Sequence, residues 1–446
     1  MNIVRKKEAL MLFVGDIFVL FLSLYLALTL RYGEIPSEET MLGHIIPFTI
    51  LFIVSILISF IAGLYEKHTL VLKRRLPVIL TEVQIANAVI SIAFFYFIPY
   101  FNITPKITLF IYLVISLIIM VAWRMAVAQS FGGRRKYNAL LIANGNEVKD
   151  IYHEINNNAR YGITFVEWVD TSVAHLKSDE IISTIKEKDV SLVVADFSNP
   201  KVDAVMPALY RLIFSGVRFA DVQNMYEEVF DSVPLSLIND TWFIENVSSS
   251  AKTSFDIFKR VMDITVSGIA LLLSLVFYPF VYIAIKLDDR GVLFSYQDRV
   301  GQNNKIIRIM KFRTMSIAND GGQWGRQKNT VTRVGGFLRK TRIDELPQLW
   351  NVFKGDISLV GPRPEFANAV ASYSAEIQYY NIRHIVKPGL SGWAQIYAKH
   401  PHHGINMEET SNKLSYDLFY VKNRSILIDL KIVLRTIKVL ISFAGK

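Results

Sequence analysis

The chain has 446 residues, of which 52% are hydrophobic, and this length accommodates two or three domains. It contains no cysteine, which excludes a disulfide framework and a thiolate metal site. The net charge of +10 is uneven: residues 1–249 carry 21 basic and 24 acidic side chains, and residues 250–446 carry 28 basic and 15 acidic ones. The basic C-terminal part predicts an anionic partner: a nucleotide, a lipid phosphate, a membrane surface or nucleic acid.

Four long apolar runs open the sequence, at about 9–30, 44–64, 78–101 and 106–128. Each has roughly the 20 residues that cross a bilayer as a helix, so a four-helix transmembrane domain is predicted over residues 1–130. A buried bundle in a soluble protein is the alternative, but four such runs are hard to bury without lipid. The first run is too long for a signal-peptide core and lacks a small-residue cleavage site, which favours an anchor.

Loop charges predict the orientation of this bundle. Basic residues precede the first run and follow the second and fourth, whereas acidic residues follow the first. The basic set is Arg5, Lys6, Lys7, Lys67, Lys73, Arg74, Arg75, Arg134, Arg135 and Lys136, and the acidic set is Glu34, Glu38 and Glu39. The positive-inside rule therefore predicts that both ends of the bundle, and the start of the remaining chain, lie on the cytoplasmic side.

Residues 137–250 alternate strand and helix patterns, which predicts a small α/β domain with a parallel sheet. The strand candidates are Tyr137–Ala143, Ser191–Ala195 and Val217–Val222. The Asn144-Gly145-Asn146 turn resembles a Rossmann phosphate loop but lacks the G-x-G-x-x-G spacing that lets the backbone approach a pyrophosphate. A scaffold or regulatory domain is favoured over a cofactor-binding one.

A fifth apolar run spans about 261–285 and has basic residues on both sides. They are Lys252, Lys259, Arg260, Lys286 and Arg290. A straight crossing would put one basic flank outside, whereas Pro279 within the run is expected to kink the helix. A re-entrant helix that enters and leaves on one face satisfies both observations. Asp263 would then lie at the membrane interface, where a charge costs less than in lipid.

The C-terminal segment Ile426–Phe443 is a strongly apolar helix that contains four charges, Asp429, Lys431, Arg435 and Lys438. These charges cannot all share one narrow face. The helix either lies in the membrane interface with its basic side chains at the headgroups, or packs on the core of the C-terminal part of the chain.

Five polar motifs follow the fifth run: QDRVG (297–301), KFRTM (311–315), RKTRIDELPQLWN (339–351), LVGPRPE (359–365) and VKPGLSGWAQI (386–396). They supply the cations Arg299, Lys311, Arg313, Arg339, Arg342, Arg363 and Lys387 and one adjacent acid pair, Asp344-Glu345. Phosphoryl transfer needs cations to hold phosphate oxygens and a nucleophile to attack phosphorus. An aspartate can form a phospho-aspartate, and a neighbouring carboxylate can help to hold Mg²⁺. For an isolated pair, helix capping and pairing with Arg339 or Arg342 would be the usual explanation.

Other residues in these motifs allow two explanations. Arg363 lies between two prolines that stiffen its loop, which favours bidentate phosphate binding over a solvated arginine. Gly389 and Gly392 indicate a tight loop near a ligand or only a turn, and Trp393 stacks on a base or packs in the core. His400, His402 and His403 are interpreted as a polar loop, because their spacing suits zinc poorly.

The motifs carry a resemblance to a known family. Residues from about 255 to 446 resemble the bacterial polyprenyl-phosphate sugar-1-phosphate transferases, which start exopolysaccharide, capsule or O-antigen repeat units. The matching blocks are KFRTM, DELPQLWN with its upstream arginines, LVGPRPE, KPGLSGWAQ and YDLFYVKNRSILIDLKI. The whole chain resembles the larger members, which add four transmembrane helices and a Rossmann-like domain. The fold it implies is a membrane helical bundle, an α/β domain at 137–250 and a mainly helical catalytic domain at 255–446 with a re-entrant helix kinked at Pro279.

The resemblance implies a two-step phosphoglycosyl transfer at the inner face of the cytoplasmic membrane. Asp344 attacks the β-phosphorus of a UDP-sugar and releases UMP, and undecaprenyl phosphate then takes the sugar phosphate from the aspartate. Glu345, together with Asp344, supports Mg²⁺ at the diphosphate. Lys311, Arg339 and Arg363 match phosphate-binding positions, and Arg313 joins them from the same block as Lys311. No nucleic-acid partner is expected, and the large members suggest a homodimer.

Two other functions were weighed against this transfer. An NAD-dependent sugar-nucleotide dehydratase would need the glycine fingerprint and a Tyr-x-x-x-Lys pair, and the α/β region has neither. A membrane scaffold or polysaccharide-export partner suits the helical bundle, but it gives no reason for five phosphate-suited motifs in the basic half.

Overall fold

The computed structural model describes residues 6–65, 76–97, 106–131, 137–158, 161–172, 177–248, 253–288, 290–316, 330–398 and 407–441. Internal contacts divide the chain into two compact units, Met1–Val229 and Phe230–Lys446. The first unit holds a helical bundle and an α/β sheet, and the second holds the polar motifs.

Four long helices begin the first unit: α1 (Lys6–Tyr32), α2 (Glu38–Ile61), α3 (Leu76–Phe97) and α4 (Lys106–Phe131). All four are long and apolar enough to cross a membrane, which confirms the predicted set of apolar helices. Leu24, Phe48 and Tyr112 are buried between them, whereas Phe18 and Phe110 are exposed on the outside. Apolar side chains on both surfaces are expected of helices surrounded by lipid. The basic loops at 66–75 and 132–136 lie outside the described residues.

A buried polar network ties α1 to α4. Arg124 donates from Nε to Asp16 Oδ1 at 3.1 Å, forms an ion pair with Asp16 Oδ2, and donates from Nη1 to Leu64 O at 2.7 Å. The Tyr65 hydroxyl donates to Asp16 Oδ2 at 2.7 Å. The side chains of Arg124 and Asp16 are almost completely buried. Each charge therefore offsets the cost of burying the other in the apolar bundle.

Arg124→Met is expected to lower the apparent melting temperature of the detergent-purified protein by several degrees. The substitution leaves Asp16 buried without a counter-charge, which costs about 3–5 kcal/mol. Arg31→Met, at the exposed end of α1, is the matched control. Asp16→Asn combined with Arg124→Met should recover part of the loss. Equal melting temperatures for the Arg124 and Arg31 variants would contradict this role.

The α/β part of the first unit contains a four-stranded parallel sheet in the order β2-β1-β3-β4. Its elements are β1 (Tyr137–Ile142), α5 (Asn146–Asn157), β2 (Ile163–Val169), α6 (Ser178–Glu187), β3 (Val190–Ala195), α7 (Pro200–Asp203), α8 (Met206–Arg211), β4 (Arg218–Asp221) and α9 (Val222–Phe230). The predicted parallel sheet is confirmed, and three of its strands match the predicted ones within two residues. Strand β2 was not predicted, because it is an edge strand with only two buried side chains, Ile163 and Phe165.

The predicted Rossmann-like turn follows β1 and leads into α5. Gly145 adopts a φ of 123°, a conformation that favours glycine, and no side chain caps the start of α5. Whether this turn holds a cofactor stays a prediction.

The second unit is mainly helical. Its elements are α10 (Asp240–Phe243), α11 (Thr253–Ser274), α12 (Phe277–Asp288), β5 (Phe294–Val300), β6 (Ile306–Phe312), α13 (Arg333–Lys340), α14 (Gln348–Lys354), β7 (Ser358–Val360), α15 (Ala367–Glu376), β8 (Gly389–Ser391), α16 (Trp393–Tyr397), α17 (Met407–Asn423) and α18 (Ile426–Ile441). Strands β5 and β6 form an antiparallel hairpin, and β7 and β8 form a short parallel pair. Residues 230–248, which the sequence analysis placed with the α/β domain, belong to this unit, because Trp242 and Phe243 are buried in its largest core with Val360 and Leu418.

Helices α11 and α12 form one apolar pair bent by 55°. The break falls at Leu275 and Val276, and Pro279 follows it in the first turn of α12. A proline ring clashes with the carbonyl four residues earlier, here that of Leu275, so the break lies where Pro279 disfavours a continuous helix. The exposed apolar side chains Leu272 and Phe280 lie on either side of the bend.

Both arms of this bent pair pack against the same unit. Arg260 on α11 donates to the carbonyls of Val352 and Phe353, each at 2.8 Å, and α12 buries Val281 against Phe312. Asp263 is buried and its Oδ1 accepts a hydrogen bond from the Leu359 amide at 3.1 Å. Both arms of the bent pair therefore contact the same unit, and the re-entrant arrangement stays a prediction.

Helix α18 packs on the core of the second unit. Ile432 and Asp429 are buried, and Asp429 forms an ion pair with Lys259 of α11 and accepts a hydrogen bond from the Tyr420 hydroxyl at 2.8 Å. Lys431 lies 4.9 Å from the centre of the Trp393 ring. Of the two predicted arrangements, packing on the catalytic core is therefore the one observed.

Candidate active site

The acid pair lies in a 3₁₀ turn, Ile343–Glu345, between α13 and α14. Arg342, just before the turn, has a φ of 58°, which is uncommon for a residue with a Cβ atom and is found at functional sites. Successive residues of a 3₁₀ turn point about 120° apart, so Asp344 and Glu345 face different surroundings. Helix α14 begins without a side-chain cap, so neither acid caps it.

Glu345 lies against three cations, of which Lys311 and Arg363 come from other motifs and Arg342 from its own. Its Oε1 accepts hydrogen bonds from Lys311 Nζ at 3.0 Å and from Arg363 Nη2 at 3.2 Å. Arg342 Nη1 lies 3.9 Å from its Oε2. Lys311 comes from the end of β6 and Arg363 from the segment after β7. The fold therefore brings three of the predicted motifs together at one carboxylate.

These charges fix the ionisation of Glu345. Burial alone would raise its pKa, but the charges of Arg363 and Lys311 and the hydrogen bond from Lys311 lower that pKa to about 2. Burial lowers the pKa of Lys311, and the negative charge of Glu345 counteracts this shift. Glu345 is thus ionised at any physiological pH and anchors the surrounding cations.

Asp344 has the opposite electrostatic character. Burial, and then the negative charge of Glu345, raise its pKa, although Lys311, Arg342 and Arg339 counteract the shift. Its side chain is 8% exposed, and its Oδ1 is a buried atom with no hydrogen-bond partner among the described residues. A carboxylate held among cations with one oxygen uncommitted suits nucleophilic attack on a phosphate better than a structural ion pair.

The other predicted residues are more dispersed. Arg339 lies exposed in the last turn of α13, and its charge acts on Asp344. Arg313 donates from Nε to the Met315 carbonyl at 2.7 Å. Pro279 lies in the first turn of α12, just after the bend.

Gly389 and Gly392 allow their backbone to pack closely against the backbone of Gly361. A Cβ on Gly389 would lie 2.1 Å from the Gly361 nitrogen, and one on Gly392 would lie 2.4 Å from the Gly361 carbonyl oxygen. Trp393 is buried and donates from Nε1 to the Asp231 carbonyl at 2.8 Å. Both observations favour the structural explanations for this stretch.

Two further arginines contact the Arg363 loop. Arg299 was predicted as a motif cation without a role of its own, and Arg383 was not predicted. Arg383 pairs with Asp417, 34 residues later, and donates to the Arg363 carbonyl at 3.0 Å. Arg299 donates to the Pro364 carbonyl at 3.2 Å. Arg299 lies in a recognised motif, whereas no motif marks Arg383, whose charged partner Asp417 is distant in the sequence.

Comparison with known proteins identifies the family. The family model described as "Bacterial sugar transferase" matches residues 254–443. A UDP-glucose:undecaprenyl-phosphate glucose-1-phosphate transferase of Caulobacter vibrioides is 39% identical over 202 residues, which is 43% of this chain and 72% of that protein. The chain belongs to the bacterial sugar transferase family.

Other relatives extend the similarity. A UDP-N-acetylgalactosamine-undecaprenyl-phosphate N-acetylgalactosaminephosphotransferase of Aeromonas hydrophila is 42% identical over 192 residues, 42% of this chain and 44% of that protein. A UDP-glucose:undecaprenyl-phosphate glucose-1-phosphate transferase of Xanthomonas campestris is 28% identical over 313 residues, 65% of this chain and 63% of that protein. The chain thus matches less than half of the length of the Aeromonas relative.

The acid pair of this bacterial sugar transferase offers oxygen atoms that could take part in a metal site. No group of three or more His, Asp or Glu side chains that could hold an ion by itself occurs in the described parts of the chain. The uncommitted Oδ1 of Asp344 and the loosely paired Oε2 of Glu345 are oxygen donors of the kind that Mg²⁺ prefers. The cations around them would repel a lone dication, so the pair fits a Mg²⁺ that shares its ligands with a diphosphate. The histidine cluster at His400, His402 and His403 lies outside the described residues.

Proposed function

We propose that this bacterial sugar transferase moves a sugar-1-phosphate from a UDP-sugar to undecaprenyl phosphate through a covalent phospho-sugar aspartate at Asp344. The reaction would be the first membrane step in the synthesis of an exopolysaccharide, a capsule or an O-antigen. The observation that carries the proposal is the buried, uncommitted Asp344 carboxylate among cations drawn from three motifs. The relatives' names, which specify UDP-sugars and undecaprenyl phosphate, support the same substrates.

The chemistry balances without an added proton donor. A carboxylate oxygen of Asp344 forms a bond to the β-phosphorus while the bond from that phosphorus to the bridging oxygen breaks, and UMP leaves with the electron pair. A phosphate oxygen of undecaprenyl phosphate then attacks the same phosphorus, and the aspartate carboxylate leaves. Nucleophile and leaving group are oxyanions in both steps, so the demand on the protein is to position them and to stabilise charge.

The cations around the acid pair would stabilise phosphate charge in both steps. Lys311 and Arg363 lie at the acid pair, and Arg339 and Arg342 act on Asp344 electrostatically. They would hold phosphate oxygens and offset the repulsion between the Asp344 carboxylate and an anionic substrate. Arg313, bonded to the chain at the end of the same hairpin, would extend this surface.

Asp344 and Glu345 would hold Mg²⁺ together with the substrate diphosphate. A bound Mg²⁺ would neutralise phosphate charge and orient the scissile bond. Since Lys311 and Arg363 already occupy Oε1 of Glu345, its Oε2 is the oxygen left for this role.

The apolar helices support a membrane location for the protein. The four apolar helices and the bent pair α11–α12 suit a protein of the bacterial cytoplasmic membrane whose catalytic unit faces the cytoplasm. That side supplies UDP-sugars, and a re-entrant helix holds Asp344 near the surface where a lipid phosphate lies. The homodimer suggested by the large family members stays a prediction.

UMP release from a panel of UDP-sugars tests the function directly. Purified protein in vesicles with undecaprenyl phosphate and Mg²⁺ should release UMP from one or a few UDP-sugars, and EDTA should suppress the release. Labelled sugar phosphate should appear on the protein when the lipid is omitted. No UMP from any UDP-sugar would overturn the proposal and favour a scaffold.

A further inference from the structure

We infer that Arg383 and Arg299 are positioning residues that hold two consecutive peptide carbonyls, those of Arg363 and Pro364, and thereby aim the Arg363 guanidinium at the acid pair. This inference rests on the proposed function, in which Arg363 binds substrate phosphate. Neither arginine needs to touch the substrate.

The Arg363 loop has few backbone N–H donors of its own with which to stabilise its conformation. Pro362 and Pro364 have no N–H group, so the backbone around Arg363 offers few donors, while its carbonyls still need partners. The amide of Val300 on β5 supplies one bond, to the Glu365 carbonyl at 2.9 Å. The Arg363 and Pro364 carbonyls are served by arginine side chains instead.

The Arg383 side chain is held by bonds to residues outside the Arg363 loop. Its side chain is 5% exposed, and its Nε and Nη2 bind Asp417 Oδ2 at 2.9 and 2.7 Å. Its Nη1 donates to the Tyr380 hydroxyl at 3.1 Å, and Nη2 also donates to the Arg363 carbonyl at 3.0 Å. These bonds to Asp417 and Tyr380 fix the orientation of the planar Arg383 guanidinium. The direction in which Nη2 points at the Arg363 carbonyl is therefore narrowly defined.

Arg299 is held in a different way. Its guanidinium lies 3.4 Å from the centre of the Phe366 ring, and its Nη2 donates to Gln297 Oε1 at 2.8 Å. Its Nη1 donates to the Pro364 carbonyl at 3.2 Å. Burial lowers the pKa of Arg299 to about 10, which leaves it charged at neutral pH. The two arginines reach neighbouring carbonyls from separate elements, β5 and the turn before β8.

Arg383→Met tests the inference in a double-mutant cycle with Arg363→Met. Displacement of a phosphate-binding group by about 1 Å costs about 10²-fold in rate, so Arg383→Met should lower kcat/KM by about that factor. In the Arg363→Met background, the same change should cost less than about 3-fold, because there is no guanidinium left to aim. A purely structural role would give the same loss in both backgrounds, and that result would overturn the inference.

Further variants keep the test decisive. Arg308→Met, at an exposed arginine of the β5–β6 hairpin, is the matched control. If Arg383→Met does not fold, Arg299→Met in the same cycle takes its place. UDP affinity, measured by calorimetry, provides a second readout that requires no turnover. If the wild type releases no UMP, the proposed function fails; if it does and the cycle is additive in both kcat/KM and UDP affinity, only the positioning role fails.

Discussion

Asp344→Asn should abolish both sugar-phosphate transfer and the trapped covalent adduct. The amide keeps the size and burial of the side chain but cannot attack phosphorus, so we expect kcat to fall by at least about 10³-fold. UMP release at saturating UDP-sugar, and labelling of the denatured protein by a radioactive sugar phosphate, would measure the two losses separately.

Asp298→Asn is the control for this substitution, because Asp298 is an exposed aspartate on β5 of the same unit. It should retain near wild-type rates. Near-normal turnover by Asp344→Asn would refute the covalent route, and loss of the adduct with retained transfer would indicate direct attack by the lipid phosphate.

Glu345→Gln should lower activity and also shift its pH dependence. The substitution removes the carboxylate that anchors Lys311 and Arg363, so kcat/KM at neutral pH should fall by about 10²-fold. Asp344 must be ionised to attack, and its pKa is raised by burial and then by the charge of Glu345. Activity should therefore decline as the pH falls through that raised pKa. Loss of the Glu345 charge lowers the pKa of Asp344, so the acidic limb should move to lower pH.

The pH profile of kcat/KM between about pH 4 and pH 8 would measure this shift. Glu376→Gln, at an exposed position of α15, should leave both the rate and the limb unchanged. A limb that stays in place or moves to higher pH in Glu345→Gln would show that Glu345 does not act on Asp344 as inferred.

Helix α11 and the Arg363 loop are connected through β7. Asp263 on α11 accepts a hydrogen bond from the Leu359 amide, and the Tyr420 hydroxyl, which also binds Asp429, lies 3.4 Å from the Val360 carbonyl oxygen. Strand β7 leads directly into the loop that carries Arg363. Helix α11 is thus fixed to the strand that precedes the Arg363 loop, and Asp263 is buried at this contact.

The sequence by itself determined the features that depend on local patterns. Runs of about 20 apolar residues predicted four membrane helices, alternation of strand and helix patterns predicted the parallel sheet, and Pro279 predicted a bend within the fifth run. The five ordered motifs predicted the family and the cations around Asp344. Each of these signals is contained in a short stretch and needs no knowledge of distant contacts.

Only the tertiary structure decided which residues meet. Glu345 forms ion pairs with Lys311 and Arg363, which come from other stretches of the chain. Arg383 likewise pairs with Asp417, which is distant in the sequence. The pKa values of the sequence neighbours Asp344 and Glu345 shift in opposite directions. Burial acts to raise both, but the charges of Arg363 and Lys311 outweigh it at Glu345. An ionisable group responds to the charges and solvent that the fold places around it, and a sequence pattern contains neither.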